Sequence, residues 1–372
     1  MRLLRILTIP LLLFTAVQAA TDGPPRPRVQ VALLLDTSNS MDGLIHQAKT
    51  QLWRIVNEFA GVRRHGRQPQ LEVALFEYGN NGIPAAVGYV RMVTPFTTDL
   101  DTLSAKLFEL HTNGGEEYCG QAIQTALDQL SWQPSPEVLK IVYIAGNEPF
   151  TQGPVDFRRV CRRAQQRGIT VNTIHCGDRQ SGVQGLWEEG AMLGGGVFLS
   201  INSDLRTVID SPYDAELGRL NQRINQTYVP YGAQGAAGQM SQVTQDKNAA
   251  RAGPAVAASR AEAKASGLYA NSQWDLVDAV KDGKQKVETL REQELPAEMR
   301  KMTVAERRSH LARMERERTE TQQQIAKLQA QRAQYVAQKS KEGKGDKTLA
   351  DAMVASIRQQ AARAGFQIQR AQ

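Results

Sequence analysis

The stretch Val31-Ala32-Leu33-Leu34-Leu35-Asp36-Thr37-Ser38-Asn39-Ser40-Met41 decides how the rest of the chain is read. Five apolar residues in a row predict a parallel strand covered on both faces. In the turn that follows, Asp36, Ser38 and Ser40 alternate, so a carboxylate and two hydroxyls can converge on one point. Oxygen-only ligands select a hard cation, and Mg²⁺ is the expected divalent ion because it accepts such ligands and retains waters that a partner can displace. The competing explanation is helix capping, since Asp, Ser and Asn also collect where a strand turns into a helix. The apolar strand before the motif and the amphipathic stretch Leu44 to Phe59 after it favour the metal-type site.

Outward from this motif, apolar strands alternate with amphipathic helices from Arg28 to about Pro212, which predicts an α/β fold with a doubly wound sheet. Strands are expected at Val29 to Leu35, Leu71 to Tyr78, Gly88 to Thr94, Leu139 to Ala145, Thr170 to His175 and Val197 to Ile201. The turn Tyr78-Gly79-Asn80-Asn81-Gly82 is too short for a crossover helix. The second and third strands should therefore form an antiparallel hairpin, giving a mixed sheet with the third strand at its edge. Helices are expected at Asp42 to Ala60, Asp99 to Leu110, Gly120 to Leu130, Val155 to Arg167 and Gln184 to Leu193, with Thr98-Asp99 and Ser203-Asp204 as caps. Asp204 to Tyr228 reads as a closing helix. Gly194-Gly195-Gly196 precedes a strand and opens no helix, so it reads as a turn rather than a phosphate cradle.

The ends of the chain differ from this middle. Arg2 and Arg5, an apolar run from Ile6 to Val17 and the small-residue site Val17-Gln18-Ala19 predict a signal peptide over residues 1–19. A membrane-spanning helix needs roughly 20 apolar residues, more than this run offers. Export to the periplasm or the exterior is expected, with no transmembrane helix after signal removal. Residues 28–212 are expected to form the α/β domain, and residues 213–255 a helix end and flexible linker, because Gly232 to Pro254 is rich in Gly, Ala and Gln. Residues 256–372 read as a helical, partly coiled-coil region: a helix from Val256 to Ala279, then a long charged helix after Pro296 and a last helix from Leu349 to Ala364. The long helix carries a seam at Leu311, Met314, Arg318, Thr321, Ile325, Leu328, Arg332 and Tyr335. Arg318, Thr321 and Arg332 make that seam impure, which leaves a dimeric coiled coil and an intramolecular helical hairpin both open.

The formal net charge of +7 is a mild basic bias, and no nucleic-acid motif accompanies it. The sequence contains 3 cysteines, which in an exported protein allow one disulfide. Cys119 and Cys176 are the expected pair because both should lie at the carboxyl edge of the sheet, whereas Cys161 reads as a buried hydrophobe beside Val160 and Ala164. No Ser/His pairing positions a serine nucleophile, since His46 falls on a helix and His175 on another strand.

Together, Asp36-x-Ser38-x-Ser40, the hairpin and the Gly114-Gly115 loop resemble the von Willebrand factor A domain over about Val29 to Asp210. The resemblance implies a metal-ion-dependent adhesion site built from three loops at the carboxyl edge of the sheet, the switch point where open α/β sheets gather ligands. The first loop matches at Asp36, Ser38 and Ser40. In the second, Thr112-Asn113-Gly114-Gly115-Glu116-Glu117, Glu117 stands where the family has a threonine, with Glu116 beside it. In the third, Ile144-Ala145-Gly146-Asn147-Glu148-Pro149, Gly146 replaces the family's aspartate, and Asn147 or Glu148 could substitute. Asp36 and Glu117 together would neutralise a divalent cation and weaken its pull on an outside carboxylate.

Segments such as Thr227-Tyr228-Val229-Pro230-Tyr231-Gly232 and Asn271-Ser272-Gln273-Trp274-Asp275-Leu276-Val277-Asp278 are similar to an exported bacterial branch of this family that has no assigned activity. The resemblance implies a non-enzymatic module that binds a protein partner. Two alternatives stand beside it: a structural scaffold that self-associates through its C-terminal helices, and a metal-assisted hydrolase with Glu116, Glu117 or Glu148 as base.

Overall fold

The computed structural model describes residues 26–205, 208–340 and 347–368. The expected signal peptide, and most of the turn expected at Gly343 to Lys347, lie outside them. The strands are β1 (Arg28–Asp36), β2 (Val62–Arg63), β3 (Gln70–Tyr78), β4 (Val90–Thr97), β5 (Leu139–Gly146), β6 (Thr170–Cys176), β7 (Gly195–Ile201) and β8 (Gln367–Ile368). The helices are α1 (Asp42–Ala60), α2 (Leu100–Glu109), α3 (Cys119–Gln129), α4 (Phe157–Gln166), α5 (Arg179–Gln184), α6 (Trp187–Leu193), α7 (Asp214–Asn225), α8 (Gly235–Ala252), α9 (Pro254–Ala265), α10 (Leu276–Lys281), α11 (Val304–Ser340) and α12 (Leu349–Arg363).

The main sheet runs in the order β4-β3-β1-β5-β6-β7. Every pairing in it is parallel except β3 with β4, the hairpin expected from its Asn-Gly turn. β1 lies between β3 and β5 and is buried along almost its whole length. Its pleat divides the chain's apolar residues between two cores. Val29, Val31, Leu33 and Leu35 face the first core, shared with α1, α2, α7, α9 and α12, while Ala32 and Leu34 face the second, shared with α3, α4 and α6. All three cysteines are free. The expected Cys119–Cys176 bridge is absent because Cys119 belongs to the second core and Cys176 to the first, so the sheet separates them. Cys161 is buried in the second core, as expected.

The C-terminal half differs most from expectation. Most of the stretch expected to be a flexible linker is α8, an ordered helix packed on α2 and α9. Its small residues permit close approach rather than mobility: a side chain added at Gly238 would lie 2.3 Å from the Trp274 ring. Two of its polar residues, Gln242 and Gln245, are buried and paired. Gln245 Oε1 accepts from Ser104 (2.9 Å), and Gln242 Nε2 donates to the Tyr269 hydroxyl (3.3 Å). The single helix expected from Val256 to Ala279 is interrupted between α9 and α10, and Asp275 caps α10 through the Asp278 N–H. Ser203-Asp204, expected as a cap, lies in the turn after β7, and the closing helix begins only at Asp214. Asp99, by contrast, caps α2 as expected.

The expected seam of α11 exists and is satisfied within the chain. Leu311 and Met314 enter a third apolar cluster with Val229, Tyr231, Leu276 and Met299, and Ile325 enters the first core. The residues that made the seam impure do the docking. Arg318 donates to Asp275 (2.7 Å), Asp278 (2.8 Å) and both oxygens of Thr227, and stacks over the Tyr228 ring at 4.1 Å. Arg332 donates to Asp214 at 2.7 Å. The segments around Tyr228 and Trp274 thus form one receptor for α11, and their rings stack at 5.5 Å. A hairpin of the last two helices, one of the two arrangements left open by the sequence, is not formed. α11 packs on α7 and α9, while α12 lies on α1 and on β6 and β7. There the Tyr143 hydroxyl shares a 2.6 Å hydrogen bond with Ser356, and the Leu349 N–H donates to Gln47.

A second buried hub joins α2, α8 and α9. Arg260 pairs with Asp101 (2.7 Å) and Asp246 and stacks on Trp53 at 4.6 Å, while Lys264 pairs with the same Asp246 at 3.1 Å. Breaking a buried pair strands its carboxylates without compensation. Arg318→Met is therefore expected to cost about 3–5 kcal/mol in urea unfolding. A loss below about 1 kcal/mol, typical of a surface pair, would show that α11 docks by its apolar residues alone.

Candidate functional site

β1 ends at Asp36 on the carboxyl edge of the sheet, beside the start of the β5–α4 connection and the β3–β4 turn. Asp36 is fully buried. Its Oδ1 accepts the Ser38 N–H at 2.8 Å, whereas its Oδ2 is buried without a hydrogen-bond partner. Neither Ser38 nor Ser40 spends its hydroxyl on capping the helical turn that follows. The two hydroxyls lie 3.3 Å apart instead.

The second loop brings Glu117 to the same place. A Cβ on Gly79 would meet Asp36 Oδ1 at 2.7 Å and Glu117 Cγ at 2.9 Å, so both acids flank one point. Gly79 has φ +76°, where glycine is favoured, and the absence of a side chain there lets the two loops close over the strand end. Glu117 is buried, receives a hydrogen bond from Ser38, and has its N–H held by Gln152 Oε1 at 2.7 Å. From the third loop, Asn147 Nδ2 donates to Ser40 Oγ at 3.2 Å. Glu148 acts on Asp36 and Glu117 through its charge, and Glu116 is exposed and acts on Glu117 in the same way.

Gly146 is the departure with the largest geometric consequence. A side chain there would begin 2.4 Å from the Tyr78 hydroxyl and 2.9 Å from Asp36 Oδ2. That hydroxyl donates to the Ala145 carbonyl at 3.0 Å and occupies the space a third-loop carboxylate would need.

The electrostatics follow from burial. The Asp36 carboxyl is pushed up to about 7, first by desolvation, with the charges of Glu117 and Glu148 adding and hydrogen bonds from Ser38 opposing. Glu117 is raised by desolvation and by Glu148. Two acids and two hydroxyls around an unpartnered carboxylate oxygen form a donor set that fits a hard divalent cation. Among the described residues no trio of His, Cys, Asp and Glu is gathered for a metal, so coordination here would depend on the serine hydroxyls and water.

The family model for the von Willebrand factor type A domain matches residues 30–184. Those residues form a von Willebrand factor type A domain. The rest of the chain lies outside that match, and no curated protein matches the sequence. Among solved structures, similarity is found to the VWA domain of SpRpn10, with 15% identity over 47% of this chain and 88% of that one and a TM-score of 0.36. An aerotolerance-related membrane protein from Bacteroides fragilis gives 19%, 47%, 93% and 0.32. Proximal thread matrix protein 1 from the mussel byssus, solved with a zinc-occupied MIDAS motif, gives 15% identity and 0.35, and the match spans 47% of this chain and 42% of that protein.

Sequence reasoning placed Asp36, Ser38, Ser40, Glu117 and Asn147 together, and they are together. It missed Tyr78, Gln152 and Asn80, whose Nδ2 donates to the His111 carbonyl at 3.0 Å and so ties the hairpin turn to the second loop. Asn80 carried a signal only as turn chemistry, and Gln152 carried none. Asp178, after β6, caps α5 through the Ser181 N–H at 2.9 Å.

An acid raised from about 3.8 to about 7 on folding contributes stability that is complete below pH 4 and is lost as pH rises toward 7. In chelator, Asp36→Asn is therefore expected to gain on wild type across that window, by on the order of 4 kcal/mol above pH 7. Urea melts at pH 4 and pH 8 check this. An equal difference between the two proteins at both pH values would contradict a buried, strained carboxyl.

Proposed function

We propose that this chain is an exported protein-binding module whose von Willebrand A domain presents a divergent divalent-cation site, with Mg²⁺ as the ion. The observation that carries this reading is the unpartnered Oδ2 of fully buried Asp36, set among hydroxyl and carboxylate oxygens from separate loops. Asp36, Ser38, Ser40 and Glu117 would hold the ion, and Asn147 would orient Ser40. The ion would supply positive charge that relieves the mutual repulsion of Asp36 and Glu117. Because those two acids already balance it, a partner is bound by the surrounding loops, through Asn80, Asn81, Asn147 and the Gly114-Gly115 backbone, more than by a bare carboxylate on the metal. The inward-turned seam of α11 supports a folded platform for this edge rather than an assembling tail. Export is proposed from the N-terminal leader.

Calorimetric titration with Mg²⁺, Mn²⁺ and Ca²⁺ tests the site. Wild type is expected to bind, Asp36→Ala is not, and wild-type affinity falls as pH drops below 7 because the ion must displace a proton from Asp36. Identical heats for the two proteins would end the cation reading. Glu117→Thr tests the role of charge balance: it should strengthen binding of an acidic peptide in Mg²⁺, and unchanged binding would show that Glu117 does not neutralise the ion.

A further inference from the structure

The chain carries a formal net charge of +7, yet the carboxyl edge of its sheet is acidic. Glu116 and Glu148 stand there with Asp36 and Glu117, and their mutual repulsion is felt at both Asp36 and Glu117. Acids on the adjoining elements are paired: Glu77 of β3 with Arg91, and Glu188 and Glu189 of α6 with Arg179 and Arg158. Among the described residues, Asp36, Glu116, Glu117 and Glu148 stand in no ion pair. Beneath them lies the buried Asp36 Oδ2, which has no hydrogen-bond partner.

Aromatic rings lie beside these acids. Tyr118, next in sequence to Glu117, packs edge-on against Tyr89 with ring centroids 5.5 Å apart. Both residues are partly exposed, and Glu116 is exposed and close enough to act on the Tyr118 hydroxyl. The Tyr118 ring is seated against Gly153, where an added Cβ would lie 2.5 Å from it, so the pair is held in place. Carboxylates beside an aromatic face are how this fold receives arginine in its interior. Arg318 lies over the Tyr228 ring at 4.1 Å and pairs with Asp275 and Asp278, and Arg260 lies over Trp53 at 4.6 Å and pairs with Asp101 and Asp246. The carboxyl edge repeats that set of groups at the surface without a cation from the described residues to fill it.

We propose that this edge receives an arginine-bearing segment of a partner protein, its guanidinium drawn by Glu116 and Glu148 and stacked on the Tyr89 and Tyr118 rings. The inference rests on the reading of this edge as a protein-binding surface and names the chemistry of the partner. An ion balanced by Asp36 and Glu117 leaves the charges of Glu116 and Glu148 unopposed, so the preference holds with or without it. Arginine is favoured over lysine because its planar fork matches carboxylates and its flat face stacks on a ring.

Fluorescence anisotropy of the full chain with labelled peptides tests this, in Mg²⁺ and in chelator. The probes are Gly/Ser peptides that differ only in carrying two arginines, two lysines, two citrullines or two glutamates. Wild type is expected to bind the arginine peptide about tenfold more tightly than the citrulline peptide, with lysine between them. Glu116→Gln/Glu148→Gln should lose that preference. Glu315→Gln/Glu320→Gln, which makes the same change of net charge on the exposed face of α11, should keep it. Glu116→Gln alone, at an exposed position, serves if the double variant does not fold, with a partial loss expected. Equal affinity for arginine and citrulline peptides, equal loss in both double variants, or tighter binding of the glutamate peptide would each overturn the proposal. Arginine binding in chelator by a protein that shows no Mg²⁺ heat would remove the cation reading and leave this one, and the reverse result would remove this one alone.

Discussion

The structure depends on burying a carboxylate at the end of a strand that is itself buried on both faces. β1 has neighbours on both sides and a core above and below, so its carboxyl end cannot shift without disturbing both cores. Asp36 is therefore held where water does not reach it, and the protonation and hydrogen bonding of the edge follow. The surrounding loops are adapted to that constraint. Gly79 and Gly146 leave out side chains that would collide with the carboxylate, and Tyr78 and Gln152 brace the strand end and the second loop from outside the donor set.

The second organising interaction is the buried arginine. Arg260 and Arg318 are each enclosed by two carboxylates and an aromatic face. Such pairs gain little net stability over apolar packing, because desolvation offsets most of the Coulomb attraction. Their geometric demand is strict, however. A guanidinium fork satisfied by Asp275, Asp278 and Thr227 admits one register of α11, whereas an apolar seam alone could slide by a turn. This explains how a strongly charged helix of 37 residues finds a defined seat on the chain. It also joins the C-terminal helices to the A domain: α12 supplies part of the first core, so the sheet face is completed by residues far along the sequence.

The altered second and third loops fit together as one change. With the Tyr78 hydroxyl in the space beside Asp36 and no side chain at position 146, the second acid comes from Glu117, on the other side of the strand end. The acid beside Asp36 is thus supplied by the second loop.

The sequence by itself determined the six main strands, the antiparallel edge, the helix after each crossover and the convergence of Asp36, Ser38 and Ser40. These follow from local periodicity and turn chemistry, which act over a few residues and are written directly in the order of side chains. Tertiary structure decided the rest. Cys119 and Cys176 share an edge yet lie on opposite faces, and a one-dimensional pattern does not report which face of a sheet a loop residue enters. Gly-, Ala- and Gln-rich α8 has the composition of a linker, but small residues also permit close helix packing, and only the presence of Trp274, Tyr269 and Arg260 opposite them selects the second outcome. The charged seam positions of α11 gain their meaning in the same way, since a buried arginine is defined by partners distant in sequence and not by its neighbours in the chain.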